Sequence, residues 1–117
     1  MKNSVKKEIE EIIKEEKLNC SIEEFEDKID WMGISWKHDL SENFIEEFQD
    51  KVDWYWISCN QQLSEDFILE FQNKVNWEEI EEHQNITKKD IEKYEKKLEK
   101  QELEKTRVKN KFQLIRF

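Results

Sequence analysis

Residues 44–58 read "FIEEFQDKVDWYWIS", and any fold that accommodates this stretch must do so more than once. At an offset of 23 residues upstream stands "SIEEFEDKIDWMGIS" (21–35), and at the same offset downstream stands "FILEFQNKVNWEEIE" (67–81). Ile22, Ile45 and Ile68 correspond, as do Phe25, Phe48 and Phe71, Lys28, Lys51 and Lys74, Trp31, Trp54 and Trp77, and Ile34, Ile57 and Ile80. One further step brings Ile91, Tyr94, Lys97 and Leu98 of "ITKKDIEKYEKKLEK" (86–100) into register with the first half of the unit. So many matches at one fixed offset are the signature of a tandem array.

Each unit reads as two short helices. Ser41, Ser64 and Thr87 stand where N-caps of the first helix belong, offering a hydroxyl to backbone N–H groups that have no partner within the helix. Leu40, Leu63 and Ile86 precede these caps, and Ile45, Ile68 and Ile91 follow at hydrophobic-staple spacing. Asp30, Asp53 and Asn76 are the expected caps of the second helix, with staples Ile29/Ile34, Val52/Ile57 and Val75/Ile80. Asn76 and Glu79 also have capping-box spacing. Helices of about ten and about seven residues are too short to stand alone. The units are therefore expected to stack as a small solenoid.

The organisation that follows is a single all-α domain over residues 1–117. Residues 1–17 form an N-terminal capping helix presenting Val5, Ile9, Ile12 and Ile13, and residues 18–85 carry three repeats. Residues 86–117 form a partial repeat and a basic C-terminal helix. In that last segment the apolar spacing drifts through Leu103, Val108, Phe112, Leu114, Ile115 and Phe117.

Composition supports a folded helical chain. A charged fraction of 42% against 36% hydrophobic would suit disorder, but 7 Phe, 5 Trp and 2 Tyr at regular spacing would not. With 1 Gly and 0 Pro, turns that demand positive φ must be few. Charge is divided unevenly. Residues 1–85 hold 9 Lys/Arg against 23 Asp/Glu, a net of −14, and residues 86–117 hold 11 against 6, a net of +5. Such a body repels nucleic acid and anionic membrane and attracts basic protein surfaces, whereas the tail does the reverse. No stretch resembles a signal peptide or a membrane span. Asn85-Ile86-Thr87 fits a glycosylation acceptor but lacks that secretory context. Cys20 and Cys59 imply no disulfide framework, and a reducing cytoplasmic setting is expected.

Enzymatic motifs are lacking. Gly33 alone cannot build a phosphate-binding loop. His38 and His83 each sit near the end of a second helix, where a cation complements the macrodipole. Cys20, Cys59 and His38 lack metal-ligand spacing, so neither metal nor cofactor is expected. Carboxylates are everywhere, and no pair stands out as acid and base. Stacking would align Glu24, Glu47 and Glu70 in one row and Asp27, Asp50 and Asn73 in another, with rungs about 10 Å apart. Such rows could imitate a phosphate backbone. Lys28, Lys51 and Lys74 each follow a row glutamate by four residues, and i,i+4 pairing would partly neutralise them.

The aromatics divide. Trp31, Trp54 and Trp77 recur and read as packing between units. Trp36, Tyr55 and Trp56 do not recur. The position of Tyr55 holds Met32 or Glu78 in the other units, that of Trp56 holds Gly33 or Glu79, and that of Trp36 holds Cys59 or Glu82. Trp56 lies about 200° around the helix from Trp54, away from the apolar stripe. Stacking would set Trp36 and Trp56 on one outer surface bordered by Glu79 and Glu82, unless a terminal helix covers them. Exposed aromatics with an acidic border suit a hot spot for a basic partner.

The unit "LSEDFILEFQNKVNW" (63–77) resembles short helical repeats with an LSE-F-I--F--KV-W--IS pattern found in uncharacterised proteins of large DNA viruses, phages and low-GC bacteria. The resemblance covers about residues 18–98, and "LNCSIEEF" of the first unit departs from it. It implies a helical-repeat fold and a phage or viral origin, and carries no activity. The expected function is non-enzymatic: occupation of a basic protein surface, as by an anti-CRISPR-like inhibitor of a host nucleic-acid-binding defence nuclease. Alternatives are a self-associating scaffold and nucleic-acid binding through the basic tail.

Overall fold

The computed structural model describes the backbone of residues 1–115 and the side chains of residues 1–105. The described chain is all-helical, without a strand. Its helices are α1 (Asn3–Glu15), α2 (Ile22–Lys28), α3 (Trp31–Lys37), α4 (Glu42–Glu47), α5 (Trp54–Asn60), α6 (Glu65–Glu70), α7 (Trp77–Gln84) and α8 (Lys88–Ile115). The side chains of Val108, Phe112, Leu114 and Ile115, and residue Phe117, lie outside the described part.

Local chemistry sets the helix starts. The Ser41 and Ser64 hydroxyls accept the Phe44 and Phe67 N–H groups, each at 3.1 Å. Thr87 and Asp90 form a reciprocal capping box, at 3.2 and 2.9 Å. In the second helices Asp53 accepts from the N–H groups of Tyr55 and Trp56, and Asn76 accepts from that of Glu79. One expectation needs correction. Asp30 makes no cap bond. Its carboxylate lies against Gly33 instead, where a Cβ would come within 2.7 Å of Oδ2. The first unit opens at Ser21, whose capping box with Glu24 starts α2 three residues late in the repeat register. Leu18 stands in that unit where Ser41 and Ser64 stand in the others, and leucine has no side-chain oxygen to offer a cap.

The first helices are six or seven residues long, shorter than expected. After Glu47 and Glu70 the chain leaves helical geometry at Phe48 and Phe71 and closes one more turn through Val52 N–H to Phe48 O and Val75 N–H to Phe71 O. That turn still delivers Val52 and Val75 to the interior. Positive φ occurs at Lys17 and Asn85. Lys17 sits in a Schellman end to α1, with Leu18 N–H reaching Ile13 O and Lys17 N–H reaching Lys14 O.

The core is one cluster running the length of the repeats. Val5, Ile9 and Ile12 of α1 join Phe25, Ile34, Phe44, Ile45, Ile57, Ile68, Ile80 and Ile91, all buried. Burying each such side chain contributes about 1.5–3 kcal/mol. Helix α5 packs between α3 and α7, α1 rests on α2 and α4, and α8 packs on α6. Trp31 lies 5.1 Å from Phe48 between ring centroids, and Trp54 lies 5.6 Å from Phe71, so these two tryptophans each meet the next unit.

The repeat extends to buried hydrogen bonds. Ser35 Oγ donates to Trp31 O and accepts from Asp53 N–H at 3.1 Å, and Ser58 Oγ donates to Trp54 O and accepts from Asn76 N–H at 2.9 Å. Gln61 accepts from Leu40 N–H and donates to the carbonyls of Ser35 and His38. Gln84 accepts from Leu63 N–H and donates to Ser58 O. Trp31, Trp54 and Trp77 each send the indole N–H to the carbonyl five residues back. His38 occupies the repeat position of Gln61 and Gln84, and its two ring nitrogens meet Glu15 at 3.0 Å and Glu16 at 2.7 Å. It therefore ties α1 to the first unit, a role beyond the macrodipole cation expected from its place at the end of α3.

Candidate functional site

Helices α3, α5 and α7 present their outward sides together, and the non-recurring residues collect there. Trp36 stands in the last turn of α3, while Tyr55 and Trp56 stand in the first turn of α5, held at their N–H groups by the Asp53 cap. The Trp36 and Trp56 rings lie 6.3 Å apart between centroids, and Tyr55 meets Trp56 edge-on at 5.0 Å. Trp36 is 47% exposed, Tyr55 is 45% exposed, and Trp56 is half-buried. Met32, 54% exposed, stands on α3 at the repeat position of Tyr55. Lys37 Nζ stands 5.8 Å from the Trp36 centroid, so one ring already has a cation within cation–π range.

The border differs from expectation. Glu82 is exposed, but the Glu79 side chain is only 13% exposed and its carboxylate is engaged. Glu79 Oε2 accepts from Cys59 Sγ at 3.1 Å and lies 3.1 Å from His83 Nε2. Glu79 is thus no open rim charge. Burial, then the hydrogen bond to Glu79 and that group's charge, push the Cys59 thiol up to about 11; a hydrogen bond from Tyr55 opposes this. The charge of Glu79, ahead of that of Cys59, likewise raises the Tyr55 phenol.

The acidic residues Glu24, Glu47, Glu70, Asp27 and Asp50 are all exposed. Their environments are not equivalent. Glu24 is held by Ser21, whose backbone N–H first and hydroxyl second lower its pKa. Lys74 pairs at 3.1 Å with Asp50 of the preceding unit, in place of the expected i,i+4 partner Glu70. The reason is the early end of the first helix. Lys51 and Lys74 stand beyond α4 and α6, so helical i,i+4 geometry to Glu47 and Glu70 is not available.

Sequence reasoning passed over the group formed by Cys59, Glu79 and His83, whose ligand atoms all lie within 4.8 Å of one another. One signal was present. Glu79 and His83 are four residues apart on one helix and so share a face. No helix among the described residues is long and apolar enough to cross a membrane. No family model, curated protein or solved structure matches the chain.

Proposed function

We propose that the chain is a non-enzymatic binding protein whose 23-residue units stack as a short solenoid and occupy a basic surface of a partner protein. The observation that supports it is the Trp36–Trp56 pair, with Tyr55 against it, on a body of net charge −14. Aromatic side chains carry a large apolar area at low entropic cost, and such residues dominate binding hot spots. A cation already stands near the Trp36 ring, and an arginine or lysine of a partner would find the same attraction. The acidic field would steer that encounter. The viral and phage character of the resembling repeats extends the proposal to an anti-CRISPR-like inhibitor, acting in the host cytoplasm on a nucleic-acid-binding nuclease.

Capture from a host lysate with the intact chain, set against Trp36→Ala/Trp56→Ala, tests this reading. Loss of a basic partner in the double variant, together with binding that weakens steeply with salt, is expected. A partner list shared by both proteins would reject the aromatic patch. A second reading, self-association, rests on α8, a 28-residue helix on which Leu103 is 62% exposed. Sedimentation of the full chain and of a chain ending at residue 98 decides it, since a strict monomer in both cases removes it.

A further inference from the structure

The two junctions between second helices use the same three repeat positions. Position 36 in the first unit is 59 in the second, position 56 becomes 79, and position 60 becomes 83. At the α3–α5 junction these are Trp36, Trp56 and Asn60, with Asn60 Nδ2 donating to Trp36 O at 3.3 Å. At the α5–α7 junction they are Cys59, Glu79 and His83. The backbone frame is shared, since Ser35 with Asp53 and Ser58 with Asn76 make the same bond. Packing of the frame therefore does not require a thiol, a carboxylate and an imidazole. Yet the thiol and the imidazole, from two different helices, both converge on one carboxylate oxygen, Glu79 Oε2.

We propose that Cys59, Glu79 and His83 bind a zinc ion that staples α5 to α7. This inference is independent of the partner-binding reading above. Tetrahedral zinc holds sulfur at about 2.3 Å and nitrogen or oxygen at about 2.0–2.2 Å, which sets neighbouring ligand atoms roughly 3.3–3.7 Å apart. The two measured separations to Glu79 Oε2 are 3.1 Å, and all three atoms fall within 4.8 Å. Small side-chain adjustments close that difference. A mixed sulfur, nitrogen and oxygen set suits zinc, whereas magnesium and calcium prefer oxygen alone. The backbone of α7 carries two of the ligands at helical i,i+4 spacing, so only α5 must be held in place to complete the set. Three protein ligands leave the fourth position to solvent, which His83, with its side chain 44% exposed, borders.

Binding replaces the thiol proton by the metal, and that proton passes to the buffer. The imidazole must bind neutral. The groups facing Cys59 are Tyr55 on its own helix and Glu79, Glu82 and His83 on α7. Because one thiol proton is displaced on binding, affinity falls about tenfold for each unit by which pH is lowered while the imidazole stays neutral.

The test is titration of the full reduced chain with Co(II), followed by displacement with Zn(II). One equivalent should give a thiolate-to-cobalt charge-transfer band together with intense tetrahedral visible bands, and zinc should abolish both. Cys59→Ser should lose the charge-transfer band, whereas Cys20→Ser should keep it. His83→Gln should weaken binding by more than the roughly 10–100-fold that loss of an outer partner costs. His83→Gln also serves as the second variant should Cys59→Ser not fold, because its site is half-exposed. As a staple, zinc should raise the thermal midpoint of the wild type and leave that of His83→Gln unmoved. No charge-transfer band in the wild type, a band that survives Cys59→Ser, or a band lost in Cys20→Ser would each overturn the proposal.

Discussion

The α3–α5 and α5–α7 junctions are the same joint with two different surfaces. Inside, each is closed by a buried serine that accepts the N–H of the next cap and by a glutamine that reaches back to the preceding unit. Outside, one junction carries two tryptophans and the other a thiol, a carboxylate and an imidazole. The difference teaches that the bonds common to both joints lie on one side of these helices and the residues that differ lie on the other. The inner side is fixed by what the repeat needs, and the outer side is free to vary. Residues that break the repeat are therefore the ones to ask about function.

The largest expected effect falls on what both junctions share. Ile57, fully buried on α5, serves the two at once. Ile57→Ala should cost about 2–5 kcal/mol, within the range for deleting a buried aliphatic side chain. Chemical denaturation would measure it. The matched changes Ile34→Ala and Ile80→Ala touch one junction each and should cost less. Equal losses at all three positions would mean that the junctions do not couple through α5.

The glutamines come next and separate the joints. Gln61 is 5% exposed and makes three hydrogen bonds, whereas Gln84 is half-buried and makes two. Each orphaned buried polar group costs about 1–3 kcal/mol, and less where water can replace the lost partner. Gln61→Ala should therefore destabilise more than Gln84→Ala. The opposite order would mean that the α5–α7 junction is the tighter one.

Much of this was legible in the sequence, and the reason is range. Caps and staples act within five residues, so Ser41, Ser64, Thr87 and the Leu40/Ile45 and Val52/Ile57 pairs could be read from spacing alone. The recurrence of Trp31, Trp54 and Trp77 exposed the offset that brings Trp36 to Trp56. The glutamine bonds were not legible, because they join residues 21–26 apart. Gln61 and Gln84 do recur at the repeat offset, but their function appears only once the helices are packed. Asp30 failed as a cap because Gly33 leaves room for its carboxylate to turn aside. Glu79 was misread as a rim charge for a related reason. Its fate was decided by Cys59, a residue on another helix.

The aromatic junction should respond mildly when broken. The Trp36 and Trp56 rings touch at an inclined angle near the surface, and such pairs contribute about 0.5–1.5 kcal/mol beyond the area they bury. Trp36→Ala should lower stability by about that amount, and Cys59→Ala should lower it by less in a zinc-free buffer. The two measurements together rank the outer surfaces as structural elements. A larger loss at Trp36 would reclassify that ring as core and weaken the argument that it serves a partner.

The last effect is confined to alkaline solution, where only the joint that carries Cys59 should respond. The Cys59 thiol is moved from an ordinary 9.0 to about 11, chiefly by burial and by its bond to Glu79. The fold therefore favours the protonated thiol. That contribution is fully present below the pKa of the unfolded chain and is lost as pH rises through about 11. With chelator present, wild-type stability should decline between pH 9.0 and about 11 more steeply than that of Cys59→Ser. Tyr55 is also raised by Glu79 and titrates in the alkaline range, so Tyr55→Phe is the control that isolates the thiol. Trp36, at the matching position of the other joint, has no proton to lose, and Trp36→Phe should keep the wild-type slope. Identical slopes in wild type and Cys59→Ser would show that the thiol is not held by Glu79 in solution, and would leave the two joints chemically alike.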